Sequence, residues 1–237
     1  MAYRRVLLKL SGEALMGRLS HGLCPETMAY VAKELRDITA RGTQLGIVIG
    51  AGNIFRGLAG VSHGMHRPTA DAMGMLATVI NCLALADALS REKVEARVLS
   101  ALPVGTVCEP YGAPSALRHL DKGRVVICAA GTGNPYFTTD TAAVLRALEL
   151  QAELVMKATR VDGVYDRDPE KFPDAVRFDH LTHDEVLARN LRVMDTTAIA
   201  LAREAGLPLL VFNMTQPGNI ERAVRGETSG TLVTSAA

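Results

Sequence analysis

The strongest constraint in this 237-residue chain is an alternation of continuous apolar runs with helix-period segments. The runs "RVLLKL" (5–10), "QLGIVIG" (44–50), "EARVLSAL" (95–102), "RVVICAA" (124–130), "AELVMKA" (152–158) and "LPLLVFN" (207–213) read as strands. Several are apolar at nearly every position, as in a parallel sheet covered on both faces. Segments 26–42, 71–92, 139–151 and 195–206 carry helical spacing, and the first and last end in glycine, a common helix stop. The pattern predicts an α/β fold with a mainly parallel sheet and helices on both sides. No linker divides residues 1–237, so one domain is expected. Residues 160–180 read as a surface excursion and 57–70 as a mobile loop. Ligands of such sheets bind beyond the carboxyl ends of the strands.

Composition narrows the classes. Hydrophobic residues make up 48% of the chain, enough for a core without disulfides or structural metal. The 26 basic and 25 acidic residues give no electrostatic case for a nucleic-acid or acidic-membrane partner. Cys24, Cys82, Cys108 and Cys128 are scattered, without zinc or C-x-x-C spacing, and read as reduced, partly buried thiols. The amino terminus turns polar too soon for a signal peptide, and no run approaches bilayer length. A soluble, cytoplasmic protein is expected. The six histidines form no nucleophile–base spacing and read as surface residues, and no G-x-S-x-G elbow occurs.

Four segments carry chemistry. In "KLSGE" (9–13), Lys9 offers a charge for phosphate, Ser11 a hydroxyl and Gly12 close backbone approach; an ordinary strand exit fits equally. "GAGNIFRG" (50–57) has the glycine turn of an anion-binding concavity followed by Arg56, although a tight βα turn needs the same glycines. "GTGNPYFTTD" (131–140) supplies a second Gly-x-Gly-Asn turn, then Thr138 and Thr139 as helix caps and Asp140 in the first turn. In "KATRVDGVYDRDPEKFP" (157–173), Tyr165 is placed to lie against a base, while Asp166, Asp168, Glu170 and Lys171 taken alone make a solvated turn. Neither Gly-x-Gly-Asn turn completes a dinucleotide fingerprint, and no Walker loop or EF-hand spacing is present.

Together with "DAMGMLATVIN" and "VMDTTA", these segments resemble, in order from about Arg5 to Leu232, the bacterial uridylate (UMP) kinases of the amino acid kinase family. The resemblance implies a three-layer α/β/α sandwich, usually a homohexamer. It implies transfer of the γ-phosphoryl group of ATP, with Mg2+, to UMP in pyrimidine biosynthesis, with GTP and UTP as effectors. It gives Lys9, Leu10, Ser11, Gly12, Gly52 and Arg56 to the ATP phosphates, and Thr159, Tyr165 and Asp168 to adenosine. UMP would contact Ala51, Asp71, Thr132, Gly133, Asn134, Pro135, Tyr136, Phe137, Thr138 and Thr139. Lys9, Arg56, Asp140 and Asp195 are the catalytic candidates, and no residue set is expected to hold a metal by itself. Ala51 stands where many relatives carry glycine, a modest change if φ there is negative. The segment 17–25 departs from relatives in a neighbourhood tied to GTP activation. Other readings are a kinase of this fold with a carboxylate, carbamate or different phosphate acceptor, and a non-catalytic nucleotide-binding protein.

Overall fold

The apolar runs become the buried strands of one nine-stranded sheet. The computed structural model describes residues 3–55, 64–169, 171–227 and 230–235. Its strands are β1 (Arg5–Leu10), β2 (Gln44–Ile49), β3 (Ala96–Ser100), β4 (Glu109–Pro110), β5 (Val125–Ala129), β6 (Leu154–Thr159), β7 (Val164–Tyr165), β8 (Arg177–Phe178), β9 (His180–Thr182), β10 (Leu209–Asn213) and β11 (Gly230–Thr234). The helices are α1 (Pro25–Thr39), α2 (Arg67–Arg91), α3 (Ala113–Asp121), α4 (Thr139–Glu149), α5 (His183–Ala188), α6 (Thr196–Glu204) and α7 (Asn219–Val224). The sheet order is β4-β3-β5-β2-β1-β6-β10-β11-β9. Its pairs are parallel except β10 with β11.

Period-two alternation sorts the strand side chains between two cores. Val6, Leu8 and Leu10 of β1 join Ile47 and Met156 under α1, α2 and α7. Leu7, Val48 and Val155 face the other way and pack under α3, α4, α5 and α6. The result is the expected three-layer α/β/α sandwich.

Several elements differ from the sequence reading. α2 starts at Arg67 rather than 71, because Pro68 fits the first turn of a helix. It is long and apolar enough, by length and composition, to cross a membrane. Here it packs as a core helix on α1, β3 and β5. Residues 160–180 contain the β7–β8 antiparallel ribbon, too short to show a period. All four cysteines are free and buried, Cys82 and Cys128 almost completely. His183 is also buried, with its Nε2 3.1 Å from the Leu207 carbonyl oxygen, and His119 lies half-buried against Glu109. Part of the 57–70 loop, residues 57–63, lies outside the described residues.

The turn after β2 is fastened to α2 by a buried amide pair. Asn81 donates to the Gly50 carbonyl at 2.7 Å and to Asn53 Oδ1 at 2.8 Å, and Asn53 donates to Asn81 Oδ1 at 3.0 Å. Both side chains are buried, so losing Asn81 deprives Asn53 Oδ1 and the Gly50 carbonyl of their donor, while Asn53 Nδ2 keeps the Gly22 carbonyl at 2.9 Å. Asn81→Ala should cost about 3 kcal/mol of stability, read as a lowered urea midpoint with an unchanged slope.

Candidate active site

Parallel pairing of β1 with β6 puts Lys9 and Lys157 directly opposite each other. Both point to the face that α4 covers, since Leu7 and Val155, two residues before them, pack in that layer. α4 begins there, and Asp140 in its first turn sits between the two ammonium groups. Asp140 Oδ1 is 2.8 Å from Lys9 Nζ, and Oδ2 is 2.9 Å from Lys157 Nζ. Lys157 also donates to the Val193 carbonyl at 2.5 Å. Burial raises the Asp140 carboxyl, but the Lys9 and Lys157 charges outweigh it and hold the group below the ordinary aspartate range. Burial lowers the Lys157 ammonium, and Lys9 adds to that fall against the pull of Asp140. The arrangement is a largely buried group of net charge +1, open enough at the strand ends to meet anionic oxygen atoms.

The loops after β1 and β2 meet beside it. A Cβ at Gly12 would lie 2.3 Å from Asn53 Oδ1 and 2.7 Å from the Gly50 carbonyl oxygen, so only glycine permits this approach. Ser11 caps a single 3-10 turn, its hydroxyl accepting from the Ala14 N–H at 3.1 Å. Leu10 is buried, and its carbonyl accepts the Gly50 N–H at 2.9 Å. Gly52 lies against Glu13. Ala51 is not among the residues with positive φ, and its carbonyl accepts from Ile54 and Phe55, so alanine there carries no left-handed strain.

A cleft of about 170 Å³ opens next to these turns. Ala51, Asp71, Thr132, Asn134, Phe137, Thr138 and Thr139 all line it, bringing distant sequence segments to one wall. Asp71 is held by Arg67 Nε at 2.8 Å and receives the Tyr136 N–H at 2.7 Å, while Arg67 also stacks over the Tyr136 ring. Gly133, at φ +81°, packs against Ala101, and Pro135 continues the same turn. Thr138 caps α4, its hydroxyl accepting from the Asp140 N–H at 3.0 Å.

Other residues lie apart from the cleft. Thr159 ends β6 with its hydroxyl donating to Val161 at 2.6 Å. Tyr165 and Asp168 line a separate hollow on the β7–β8 side, where the Tyr165 hydroxyl donates to Asp162 at 2.5 Å. Asp195 caps α6 through Ala198 N–H at 2.8 Å and accepts from Thr138 and Thr141, tying the starts of α4 and α6 together. Its carboxylate is thus engaged in helix capping. Arg56 lies outside the described residues. Lys157 and Arg67 escaped the sequence reading. The signal for Lys157 was present, a lysine interrupting an apolar run as Lys9 does; Arg67 stood in what read as loop.

A parallel sheet with a largely buried Lys–Asp–Lys group at its strand ends, beside a cleft between helix starts, has the layout of a small-molecule phosphotransferase. The profile of the amino acid kinase family matches residues 4–213, and the chain belongs to that family. It is similar over its full length to the crystal structure of a UMP kinase from Bacillus anthracis, with 39% identity, 100% of this chain and 98% of that one covered, and a TM-score of 0.96. A UMP kinase from Ureaplasma parvum is 37% identical over 99% of this chain and 100% of its own, with a TM-score of 0.93. A uridylate kinase from Archaeoglobus fulgidus is 28% identical, with 99% and 100% covered and a TM-score of 0.75.

The depressed Asp140 carboxyl fixes the sign of a pH effect. Its contribution is fully present above the unfolded aspartate value near pH 3.9 and is lost as pH falls through the lower folded value. Asp140→Asn should cost about 2–3 kcal/mol near neutrality, because two largely buried ammonium groups lose their partner. Denaturant unfolding between pH 2 and 5 should also show a flatter acid limb than the unsubstituted chain.

Proposed function

We propose that the chain is a UMP kinase, transferring the γ-phosphoryl group of ATP to UMP to give UDP and ADP. One observation carries this reading: the acceptor cleft ends at Thr139, one residue before the Asp140 that pairs with Lys9 and Lys157. An acceptor phosphate in that cleft reaches the cationic group directly. A phosphate monoester has its second pKa near 6, so UMP is largely dianionic at neutral pH and needs no general base. Catalysis then rests on alignment and charge neutralisation. Lys9 and Lys157 take the charge on the β- and γ-phosphates, and Asp140 holds the two ammonium groups apart and in place. Arg56 bridges donor and acceptor, and Asp71 receives the ribose hydroxyls. Tyr165, Asp168 and Thr159 serve the adenosine side.

Mg2+ travels with ATP in this reading. Among the described residues no three carboxylates, histidines or cysteines group as metal ligands, and both Asp140 oxygens face lysines. That donor set suits an ion held by phosphate oxygens and water. When bound, it neutralises phosphate charge.

The homohexamer belongs to the same proposal. α2 exposes Met73, Leu76 and Ile80 along one side, at 37%, 48% and 52%, and a second copy of the chain is the occupant that suits this stripe. Responses to GTP and UTP, and a cytoplasmic place in pyrimidine biosynthesis, complete the reading; four free cysteines suit a reducing compartment.

Coupled ADP release with UMP, CMP, N-acetylglutamate and no acceptor tests the reading. Turnover with UMP alone is expected, whereas turnover with a carboxylate acceptor instead would favour another kinase of the family. Lys9→Met and Lys157→Met should each lower kcat by about a hundredfold or more with folding intact. Asp71→Asn should raise KM for UMP and leave KM for ATP little changed. Light scattering should give the mass of six chains, reduced by Ile80→Arg.

A further inference from the structure

Beneath the acceptor turn lies Arg146 of α4, a charged side chain only 5% exposed that the reaction above does not use. Its guanidinium stacks on the Tyr111 ring at 3.9 Å and pairs with Glu149 at 2.7 Å. Tyr111 donates its hydroxyl to the same Glu149 oxygen at 2.6 Å, so the pair is locked by an aromatic neighbour. The remaining guanidinium nitrogen that finds a partner, Nη2, donates to the Gly131 carbonyl at 3.0 Å. A buried arginine aimed at one backbone oxygen of a ligand cleft does more than fill space.

The turn it holds is an unusual one. Ala130, Gly131 and Gly133 all have left-handed φ, at 61°, 58° and 81°. For Ala130 that conformation is strained and persists only where neighbours impose it. Thr78 of α2 accepts the Ala130 N–H at 2.8 Å, and Gly133 N–H closes onto the Ala130 carbonyl at 2.9 Å. The Gly131–Thr132 peptide is trans, so its C=O and N–H point in opposite directions. With the Gly131 carbonyl drawn down to Arg146, the Thr132 N–H turns the other way. Gly131 and Thr132 both line the cleft, and among the described residues the Thr132 N–H has no hydrogen-bond partner.

We infer that Arg146 is a positioning residue for the acceptor. It fixes the Gly131–Thr132 peptide so that the Thr132 N–H donates to an oxygen of the acceptor nucleotide. Without it, the Gly131–Thr132 peptide, which begins at a glycine with wide conformational freedom, can flip, which replaces that donor with a carbonyl and repels the acceptor oxygen. The inference rests on the cleft being the acceptor site of the proposed kinase.

The test compares Arg146→Met, Arg146→Lys and Tyr111→Phe in the full-length protein by steady-state kinetics, with circular dichroism as the folding check. Arg146→Met should raise KM for UMP about tenfold, the loss of roughly one hydrogen bond, with KM for ATP within twofold. Arg146→Lys, which keeps a charge and a donor, should recover part of the loss. Tyr111→Phe should stay within twofold on both substrates. Hydrogen exchange at the Thr132 amide of the unsubstituted protein should slow when UMP is added. Should Arg146→Met fail to fold, Arg146→Lys and the exchange measurement decide. The inference is overturned if a folded Arg146 variant keeps its KM for UMP within twofold, if both KM values rise together, or if UMP leaves the Thr132 amide unchanged. Absence of ADP release with UMP in the unsubstituted protein overturns the kinase reading instead, and this inference with it.

Discussion

Two lysines, one buried and one largely so, facing each other across adjacent strands would repel without the carboxylate between them. The Lys9–Asp140–Lys157 group therefore depends on where α4 begins, and α4 begins where its caps put it. Thr138 accepts the Asp140 N–H, and Asp195 binds Thr138 and Thr141 while capping α6. A buried ion pair adds little net stability against its desolvation, but breaking one partner away is costly. The arrangement is best understood as a specification of geometry: it accepts one placement of α4 on β1 and β6.

The glycine-rich turns around this group divide the labour by conformation. The turn after β2 is fixed by close contact, with Gly12 against Asn53 and the Asn53–Asn81 amides behind it. The turn after β5 is fixed instead by strain and hydrogen bonds, with left-handed Ala130 and Gly131 held by Thr78 and Arg146. The two resemble each other in sequence and differ in what holds them.

The sheet was legible because apolar runs and helical spacing are local signals, and β1 matched its run, residues 5–10, at both ends. Strand order was not local, so nothing in "AELVMKA" announced that its lysine would stand beside Lys9. Asp71 and the acceptor role of the 132–139 segment were singled out only through their resemblance to relatives, and the fold brings Asp71, Thr132, Asn134, Phe137, Thr138 and Thr139 to one cleft. Arg146 and His183 look like surface residues in sequence, since a charge on a helix is usually solvated and only packing revealed their burial. Asp195 drew notice for its carboxylate, whereas its visible work is that of a helix cap, a role Asp fills often.

The cleft sits on the seam between the two cores. One wall is the start of α2, carried by the layer that includes α1 and α7; the other is the start of α4, carried by the opposite layer. The sheet separates those layers, yet the walls are tied across the cleft by the Tyr136 N–H to Asp71 and by the Ala130 N–H to Thr78. A change of packing in either core is therefore transmitted to both walls at once, so the width of the cleft is a property of the whole sandwich rather than of either layer.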